Sequence, residues 1–198
     1  MNNKNIIKEI RGLILTILGS VIIVSLINTE VLASAKVQQE SMENTLYNDE
    51  KLIVDKISYN FTTPKRGDII IFFDNEEKGN VFEESYKYLK EIASISYNTD
   101  TRTRLVKRVI GVSGDEIDIK DGYVYLNGDM LDETYVKGST YIRNRDFPIT
   151  VEENTLFVLG DNREKSRDSR EFGLININQV EGKAIFRLSP FNRFGAIE

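Results

Sequence analysis

A run of 18 uncharged residues, GLILTILGSVIIVSLINT, extends from Gly12 to Thr29. At about 1.5 Å per helical residue it would span roughly 27 Å, close to the ~30 Å hydrocarbon core of a bilayer. Three basic residues, Lys4, Lys8 and Arg11, precede the run. Because basic residues are retained on the cytoplasmic side, the pattern predicts a cytoplasmic tail over residues 1–11, a single transmembrane anchor over residues 12–29, and an outward-facing remainder.

The same segment also fits a cleavable signal peptide. It combines a basic start, an apolar stretch and the small-x-small sequence Ala33-Ser34-Ala35, which is typical of a cleavage site. Glu30, between the apolar run and the two alanines, weakens that interpretation. A buried core helix fits less well, because so uniform an apolar run lacks a polar face. The residues alone leave the anchor and the signal peptide as alternatives.

Beyond residue 40, short β-forming segments alternate with turn residues. Six segments rich in Ile, Val, Phe and Tyr are LIVDKISY, GDIIIFF, LVKRVIGV, DEIDIKDGYVYLNG, NTLFVLGD and KAIFRLS. Asn127-Gly128, directly after YVYL, is typical of a hairpin turn. Residues 83–97 are the one further helix candidate, with apolar side chains at helical spacing. The pattern predicts a mainly β fold built from antiparallel sheets.

The 198-residue chain contains no His and no Cys, and its net charge is -5. Without Cys it has no disulfide, no thiolate nucleophile and no Cys-bound metal. Without His it lacks the usual general base near neutral pH and the commonest metal ligand. A hydrolase with this composition must use carboxylates, a Ser or Thr with a Lys, or a carboxylate-bound metal. The absence of a basic block gives no support for nucleic-acid binding.

Three polar elements are candidates for chemistry: Ser41 in QQESMENTL, Lys107 in LVKRVIGVSGDEI, and the stretch GDNREKSRDSREFG from Gly160 to Gly173. Each of them alone also fits an ordinary surface residue or loop. In an alternating strand, Lys107 shares a face with apolar Leu105 and Val109, and apolar surroundings lower the pKa of a lysine. The neighbouring Arg108 then points the opposite way.

Together and in this order, these segments resemble the type I signal peptidases. SMENTL, KRGDIIIF, LVKRVIGVSGDEI, GDNREKSRDSREFG and GKAIFRLSPFNRFG match successive motifs of that family over nearly the whole chain. The resemblance is to Gram-positive-type members with one N-terminal anchor, and it favours an uncleaved anchor. It implies a membrane-bound serine endopeptidase without metal or cofactor, facing outward from the cell membrane. Its substrates would be secretory precursors whose signal peptides carry small residues before the cut.

The resemblance also implies a role for each matching residue. Ser41 would attack the scissile carbonyl, Lys107 would be the general base, and Ser166 would orient the lysine amine. The implied structural ion pairs are Arg108 with Asp161 and Asp168 with Arg170. A lysine must be neutral to accept the serine proton. A free lysine has a pKa of about 10.4, so only about one in 2,500 is neutral at pH 7. The pKa of Lys107 must therefore be lowered.

The family fold implies a catalytic β domain over residues 30–118 and 156–198, with a smaller β subdomain inserted over residues 119–155. Signal peptides resemble an extended strand, and a strand can add to an exposed sheet edge through backbone hydrogen bonds. The chain before Ser41 and the strand before Lys107 would supply those edges.

Two residues depart from the family pattern close to the nucleophile. Asn44 stands where the family has Pro in Ser-Met-x-Pro-Thr-Leu, and Gln39 stands where Gram-positive-type members usually have Gly. Pro would fix the backbone after Ser41, whereas Gly would permit a positive φ or a close approach. We therefore expect a reshaped oxyanion hole in which the Ser41 N–H and the Gln39 side-chain amide donate, and a member specialised for few substrates, such as surface-fibre subunits.

Three other functions compete with this hypothesis. The departures at Gln39 and Asn44 favour a low-activity family member that acts as an assembly factor for surface proteins or pili. A self-cleaving Ser/Lys repressor would need a DNA-binding domain in place of the apolar N-terminus. A carboxylate glycosidase or metal hydrolase would need a pair of acids, whereas Asp161 and Asp168 have arginine partners in the family pattern.

Overall fold

The computed structural model of the chain describes residues 3–30, 32–74, 76–80, 83–86 and 103–197. The chain forms two compact units. One unit comprises Met1–Leu32 and Gly79–Thr101, and the other comprises Ala33–Lys78 and Arg102–Glu198. The second unit contains all three candidate elements of the functional site.

Helix α1 extends over Asn3–Glu30 and includes the whole uncharged run. Large apolar side chains between residues 10 and 24 are exposed to solvent, and they are Ile10, Leu13, Ile14, Leu15, Ile17, Leu18, Val21, Ile22, Ile23 and Val24. Within the part of the chain that the structure describes, no helix has the combination of length and apolar character that crossing a membrane requires. The helix over residues 12–29 is thus present, but the structure does not show it to be a membrane span.

The mainly β prediction for the second unit is confirmed. The main sheet contains β1 (Leu32–Lys36), β2 (Lys51–Asp55), β3 (Ile69–Phe73), β4 (Arg104–Val112), β9 (Thr155–Leu159), β10 (Ile175–Asn176), β11 (Val180–Ser189) and β12 (Gly195–Ala196). Its order is β1-β2-β11-β3-β4-β9-β10, and β12 pairs with β11. β4 lies between β3 and β9, and both pairings are antiparallel. Lys107 is therefore carried by an interior strand.

A second, four-stranded sheet contains β5 (Glu116–Lys120), β6 (Tyr123–Leu126), β7 (Asp129–Met130) and β8 (Ile149–Thr150), in the order β7-β6-β5-β8. β6 and β7 form the predicted hairpin, in which Asn127 and Gly128 have φ values of 53° and 91°. Positive φ at both central residues matches the right-handed twist of the flanking strands. The division into a catalytic domain and a subdomain over residues 119–155 stays a prediction.

Three buried apolar clusters hold the sheets together. Ile70, Phe72, Leu105, Val109, Leu156, Val158, Ile175 and Val180 form one on a face of the main sheet. Val37, Met42, Leu46, Leu52, Ile69 and Ala184 form a second, which includes residues on both sides of Ser41. Ile110, Ile117, Val124, Val151, Phe157 and Leu159 form the third, which joins the two sheets. The second sheet is thus packed directly against β4 and β9.

Short helical turns complete the described chain. Ser169–Phe172 is a one-turn α-helix, and Glu40–Met42, Ser58–Asn60, Ile177–Gln179 and Phe191–Arg193 are 3-10 turns. Residues 83–86 are helical, and the remainder of the helix predicted over residues 83–97 lies outside the described residues.

Candidate active site

Ser41 lies in the 3-10 turn Glu40–Met42 and is 4% exposed. The next residue, Met42, is fully buried and packs in the apolar cluster together with Leu46. Val37, which precedes the turn, belongs to the same cluster, and burial of apolar side chains on both sides fixes the turn against the sheet. The Ser41 hydroxyl is therefore held at a defined place. The backbone carbonyl of Ser41 accepts a hydrogen bond from the Asn162 N–H at 3.1 Å.

Lys107 lies on β4 opposite Ile70 of β3 and is 1% exposed. Its Nζ donates to Ser41 Oγ at 2.8 Å and to the Val106 carbonyl at 2.8 Å. Leu105 and Val109, two positions away on either side, belong to the buried cluster on the main sheet. The structure thus brings the predicted nucleophile and the predicted base into direct contact.

Burial lowers the pKa of Lys107 from 10.5 to about 8, because removal from water disfavours the charged ammonium. Asp168 and Asp161 act in the opposite direction and stabilise the ammonium, while the nearby positive charge of Arg167 lowers the pKa further. The loss of hydration outweighs the two carboxylates. A substantial fraction of Lys107 is therefore neutral under mildly basic conditions.

The polar stretch from residue 160 to residue 173 forms a partly buried loop beside this pair. Asp161 receives two bonds from Arg108, at 3.0 Å from Nε and 2.8 Å from Nη2, and it also accepts from Thr45 Oγ1 at 2.5 Å. The side chains of Arg108 and Asp161 are 4% and 0% exposed. This ion pair links the residue next to Lys107 with the loop and with the segment after Ser41.

The second predicted ion pair lies further along the same loop. Asp168 accepts from Arg170 Nε and Nη2 at 2.8 Å each, and from the Gly160 N–H at 3.1 Å. It also caps the one-turn helix Ser169–Phe172 by accepting from the Arg170 N–H. Because Asp168 and Arg170 are almost completely buried, loss of either charge would leave the other uncompensated and would destabilise the loop.

Ser166 does not make the hydrogen bond that the resemblance implied. Its side chain is completely buried, but Ser166 Oγ has no hydrogen-bond partner among the described residues, so the expected bond with Lys107 Nζ is not made. The hydroxyl lies against Gly160, where a Cβ would collide with both Ser166 and the Ser41 carbonyl. Ser166 therefore lies close to the nucleophile segment but makes no hydrogen bond with the lysine amine.

Gln39, predicted as an oxyanion donor, lies just before the turn and is exposed. Its backbone is extended, with φ -146° and ψ 162°, and its side chain makes no capping hydrogen bond. Any residue adopts this conformation, so the absence of Gly at this position introduces no backbone strain.

Several residues of the site were missed by the sequence analysis. The Asn162 N–H donates to the Ser41 carbonyl, and the Asn162 side-chain amide donates to the Glu40 carbonyl. Asn162 lies within the GDNR stretch, whose density of polar residues was a usable signal. Glu133 contacts Arg163, and Tyr135 contacts Arg108. Neither Glu133 nor Tyr135 lies in any of the motifs. Among the described residues, no group of three or more acidic side chains is arranged to hold a metal ion.

A buried serine hydroxyl bonded to a buried lysine amine, on a β-rich domain without histidine, is the arrangement of a candidate serine hydrolase. Comparison with known proteins identifies the family. Residues 10–189 match the family model described as signal peptidase, peptidase S26. The chain therefore belongs to the signal peptidase family S26, a family of serine peptidases, and is a signal peptidase I homologue.

Three curated relatives illustrate the match. Signal peptidase I of Bacillus caldolyticus is 34% identical over 199 residues, which cover 94% of this chain and 96% of that protein. Signal peptidase IB of Staphylococcus aureus strain COL is 31% identical over 203 residues, covering 94% and 93%. Probable signal peptidase I-2 of Synechocystis sp. is 32% identical over 183 residues, covering 92% and 74%. Family membership supports the removal of signal peptides, and the names of these relatives lend no support to an assembly factor.

Proposed function

We propose that this chain removes N-terminal signal peptides from secreted precursor proteins, with Ser41 as nucleophile and Lys107 as general base. The observation that carries the proposal is the 2.8 Å contact between Lys107 Nζ and Ser41 Oγ. Both side chains are buried, and the chain contains no His or Cys that could act in their place. The proposed substrates follow from the names of the relatives, which are signal peptidases.

In the proposed reaction, Ser41 Oγ attacks the carbonyl carbon of the scissile bond while neutral Lys107 Nζ accepts the hydroxyl proton. The tetrahedral intermediate then collapses, the peptide C–N bond breaks, and the ammonium returns its proton to the leaving amine. This step releases the mature protein and leaves the signal peptide as an ester on Ser41. A water molecule, deprotonated by Lys107, hydrolyses the ester and restores both residues.

An edge of β4 is a candidate binding place for the substrate. β3 pairs with β4 from Arg104 onward, whereas β9 pairs with it only from Arg108 onward. The β9 side of the strand just before Lys107 is thus a candidate edge for an extended signal peptide. A substrate strand paired there would bring its scissile carbonyl next to Ser41.

The oxyanion donors in this proposal are the Ser41 N–H and the Gln39 amide. The exposed position of Gln39 supports access to a bound carbonyl oxygen. Loss of one oxyanion donor typically reduces kcat by about 10² to 10³. The test is Gln39→Ala with Gln38→Ala as a matched control, because Gln38 is also exposed. An unchanged kcat for Gln39→Ala would remove the side chain from the proposed oxyanion hole.

The central test is a cleavage assay on a secretory precursor with the wild type, Ser41→Ala and Lys107→Ala. Both variants should be inactive, whereas the exposed residues Ser113 and Lys165 serve as matched alanine controls that retain the wild-type rate. Wild-type rates in both dyad variants would eliminate the mechanism. Absence of cleavage by the wild type would contradict the peptidase activity itself and favour the low-activity assembly factor.

The proposal includes attachment to the cell membrane through residues 12–29, with the catalytic domain on the extracytoplasmic face. The support is the uncharged run after a basic tail and the exposed apolar side chains of α1. The full chain should remain in the membrane fraction after alkaline carbonate extraction. Release into the supernatant, or a purified protein that begins at Lys36, would contradict a permanent anchor.

A further inference from the structure

Asn44, three residues after the nucleophile, has a left-handed backbone conformation with φ 91°. Such a φ is rare for residues with a side chain, and Asn is among the few that tolerate it. A proline ring fixes φ at about -65°, so proline cannot adopt the conformation that this segment has here. The path that the chain takes after Ser41 is therefore one that proline at position 44 could not follow.

The Asn44 side chain is held in place by a partner that is distant in sequence. Its Nδ2 donates to the Tyr135 carbonyl at 2.9 Å, although 91 positions separate the two residues. The neighbouring residue Glu43 makes a second link to the same part of the chain, since its carboxylate lies 2.7 Å from Lys137 Nζ. Two consecutive residues after the nucleophile thus contact the segment 133–137.

The segment 133–137 is itself tightly anchored beside the site. The Tyr135 ring lies 3.9 Å from the guanidinium carbon of Arg108, the residue next to Lys107. The Lys137 N–H donates to the Asp161 carbonyl at 2.8 Å, and the Lys137 carbonyl accepts from the Arg163 N–H at 3.0 Å. Asn44 is therefore bonded to a segment that also contacts the base strand and the Asp161 loop.

We infer that Asn44 is a positioning residue, and that its bond to the Tyr135 carbonyl holds the Ser41 turn against the Lys107 strand. This inference rests on the proposed function, because it assigns Asn44 to the alignment of the nucleophile. The side-chain bond supplies a restraint on the backbone after Ser41 that a proline ring would supply by another route. The restraint acts on the distance between Ser41 Oγ and Lys107 Nζ, on which proton transfer depends.

The experiment compares Asn44→Gly with Asn154→Gly in the full chain, using a secretory precursor well below the melting temperature. Asn154 is a matched control, because it also has a positive φ of 59° and is exposed on the turn before β9. Glycine adopts both conformations without strain, so each change removes a side chain from a left-handed position. We expect Asn44→Gly to reduce kcat by about fivefold to tenfold with KM within about twofold, and Asn154→Gly to change neither.

A second variant separates loss of the bond from loss of rigidity. Asn44→Asp keeps the shape of the side chain but places an acceptor against the Tyr135 carbonyl, so its kcat should fall at least as far as that of Asn44→Gly. A wild-type kcat for Asn44→Gly would overturn the inference, whatever Asn44→Asp does. An equal loss in Asn154→Gly, or a lower melting temperature with unchanged kcat, would also overturn it. Inactive Ser41→Ala in the same assay shows that such a failure concerns Asn44 alone and not the proposed function.

Discussion

Glu133 and Arg163 form a bidentate ion pair, in which Arg163 Nη1 and Nη2 donate to the Glu133 carboxylate at 3.0 and 2.6 Å. The side chain of Arg163 is 0% exposed and that of Glu133 is 9% exposed. Arg163 Nε also donates to the Gly160 carbonyl at 3.0 Å, at the start of the loop that carries Ser166. The pair therefore fixes the segment 133–137 to the loop beside Ser41.

Glu133→Gln should destabilise the fold by about 3 kcal/mol, because it leaves the buried guanidinium of Arg163 without a counter-charge. The free energy of unfolding, measured by urea denaturation at neutral pH, checks this expectation. Glu152→Gln removes one carboxylate from an exposed position and should stay within about 0.5 kcal/mol of wild type. Equal stability of the two variants would show that the Glu133–Arg163 pair contributes nothing net to folding.

Lys107→Met should stabilise the protein at pH 7, even as it abolishes activity. Lowering the pKa of Lys107 from 10.5 to about 8 costs about 3 kcal/mol at about 1.36 kcal/mol per pH unit. Loss of the bonds to Ser41 and to the Val106 carbonyl offsets part of that gain, so we expect a net increase of about 1–3 kcal/mol.

The gain should depend on pH in a defined direction. Between pH 8 and 10.5 the unfolded chain binds a proton at Lys107 that the folded chain has released, so the stability of the wild type rises with pH through this window. The advantage of Lys107→Met should therefore shrink as pH increases from 8 to 10.5. Urea denaturation at several pH values measures this difference in stability between Lys107→Met and the wild type. A difference that grows with pH would contradict a lowered pKa of Lys107.

The pH dependence of cleavage should follow the protonation of Lys107. If neutral Lys107 is the base, kcat/KM rises about tenfold per pH unit at low pH and levels off above pH 8. Arg167→Gln removes a positive charge that lowers the pKa of Lys107, so the inflection should move to higher pH by a few tenths of a unit, and less at high salt. Lys165→Gln, an exposed change in the same loop, should leave it in place. A shift to lower pH for Arg167→Gln would contradict this electrostatic assignment.

The strands and the contact between Ser41 and Lys107 could be anticipated, because they depend on local patterns and on motifs. β4 carries its alternating apolar residues where the sequence indicated, and Asn127-Gly128 forms the turn that its residue types require. Arg108 and Asp161 are also in contact, as are Arg170 and Asp168. Both aspartates lie in a dense polar stretch, and polar groups that are buried must find hydrogen-bond partners within the protein.

The conformation around Asn44 was not predictable from the sequence. Asn adopts many backbone conformations, and its partner Tyr135 lies in a segment without apolar periodicity or a motif. Arg187 and Glu50 illustrate the same limit: their 2.8 Å bond joins residues 137 positions apart. Pairing over such distances is fixed by the topology of the sheets, which one sequence does not specify residue by residue. The lack of a hydrogen bond from the buried Ser166 hydroxyl to Lys107 likewise depends on side-chain packing.

Gly160→Ala should abolish cleavage, because a Cβ at this position would collide with the Ser41 carbonyl and with the Ser166 side chain. The backbone at Gly160 cannot retreat freely, since its N–H donates to buried Asp168 and its carbonyl accepts from buried Arg163. The collision must therefore displace the Ser41 turn and lengthen its contact with Lys107.

Gly182→Ala provides a matched control, because its Cβ would meet the Asp55 carbonyl on the β2 side of the sheet. Both variants should lose stability, but only Gly160→Ala should lose kcat when each is assayed well below its melting temperature. Similar kcat values for the two folded variants would show that the contact of Gly160 with the Ser41 segment is not required for catalysis.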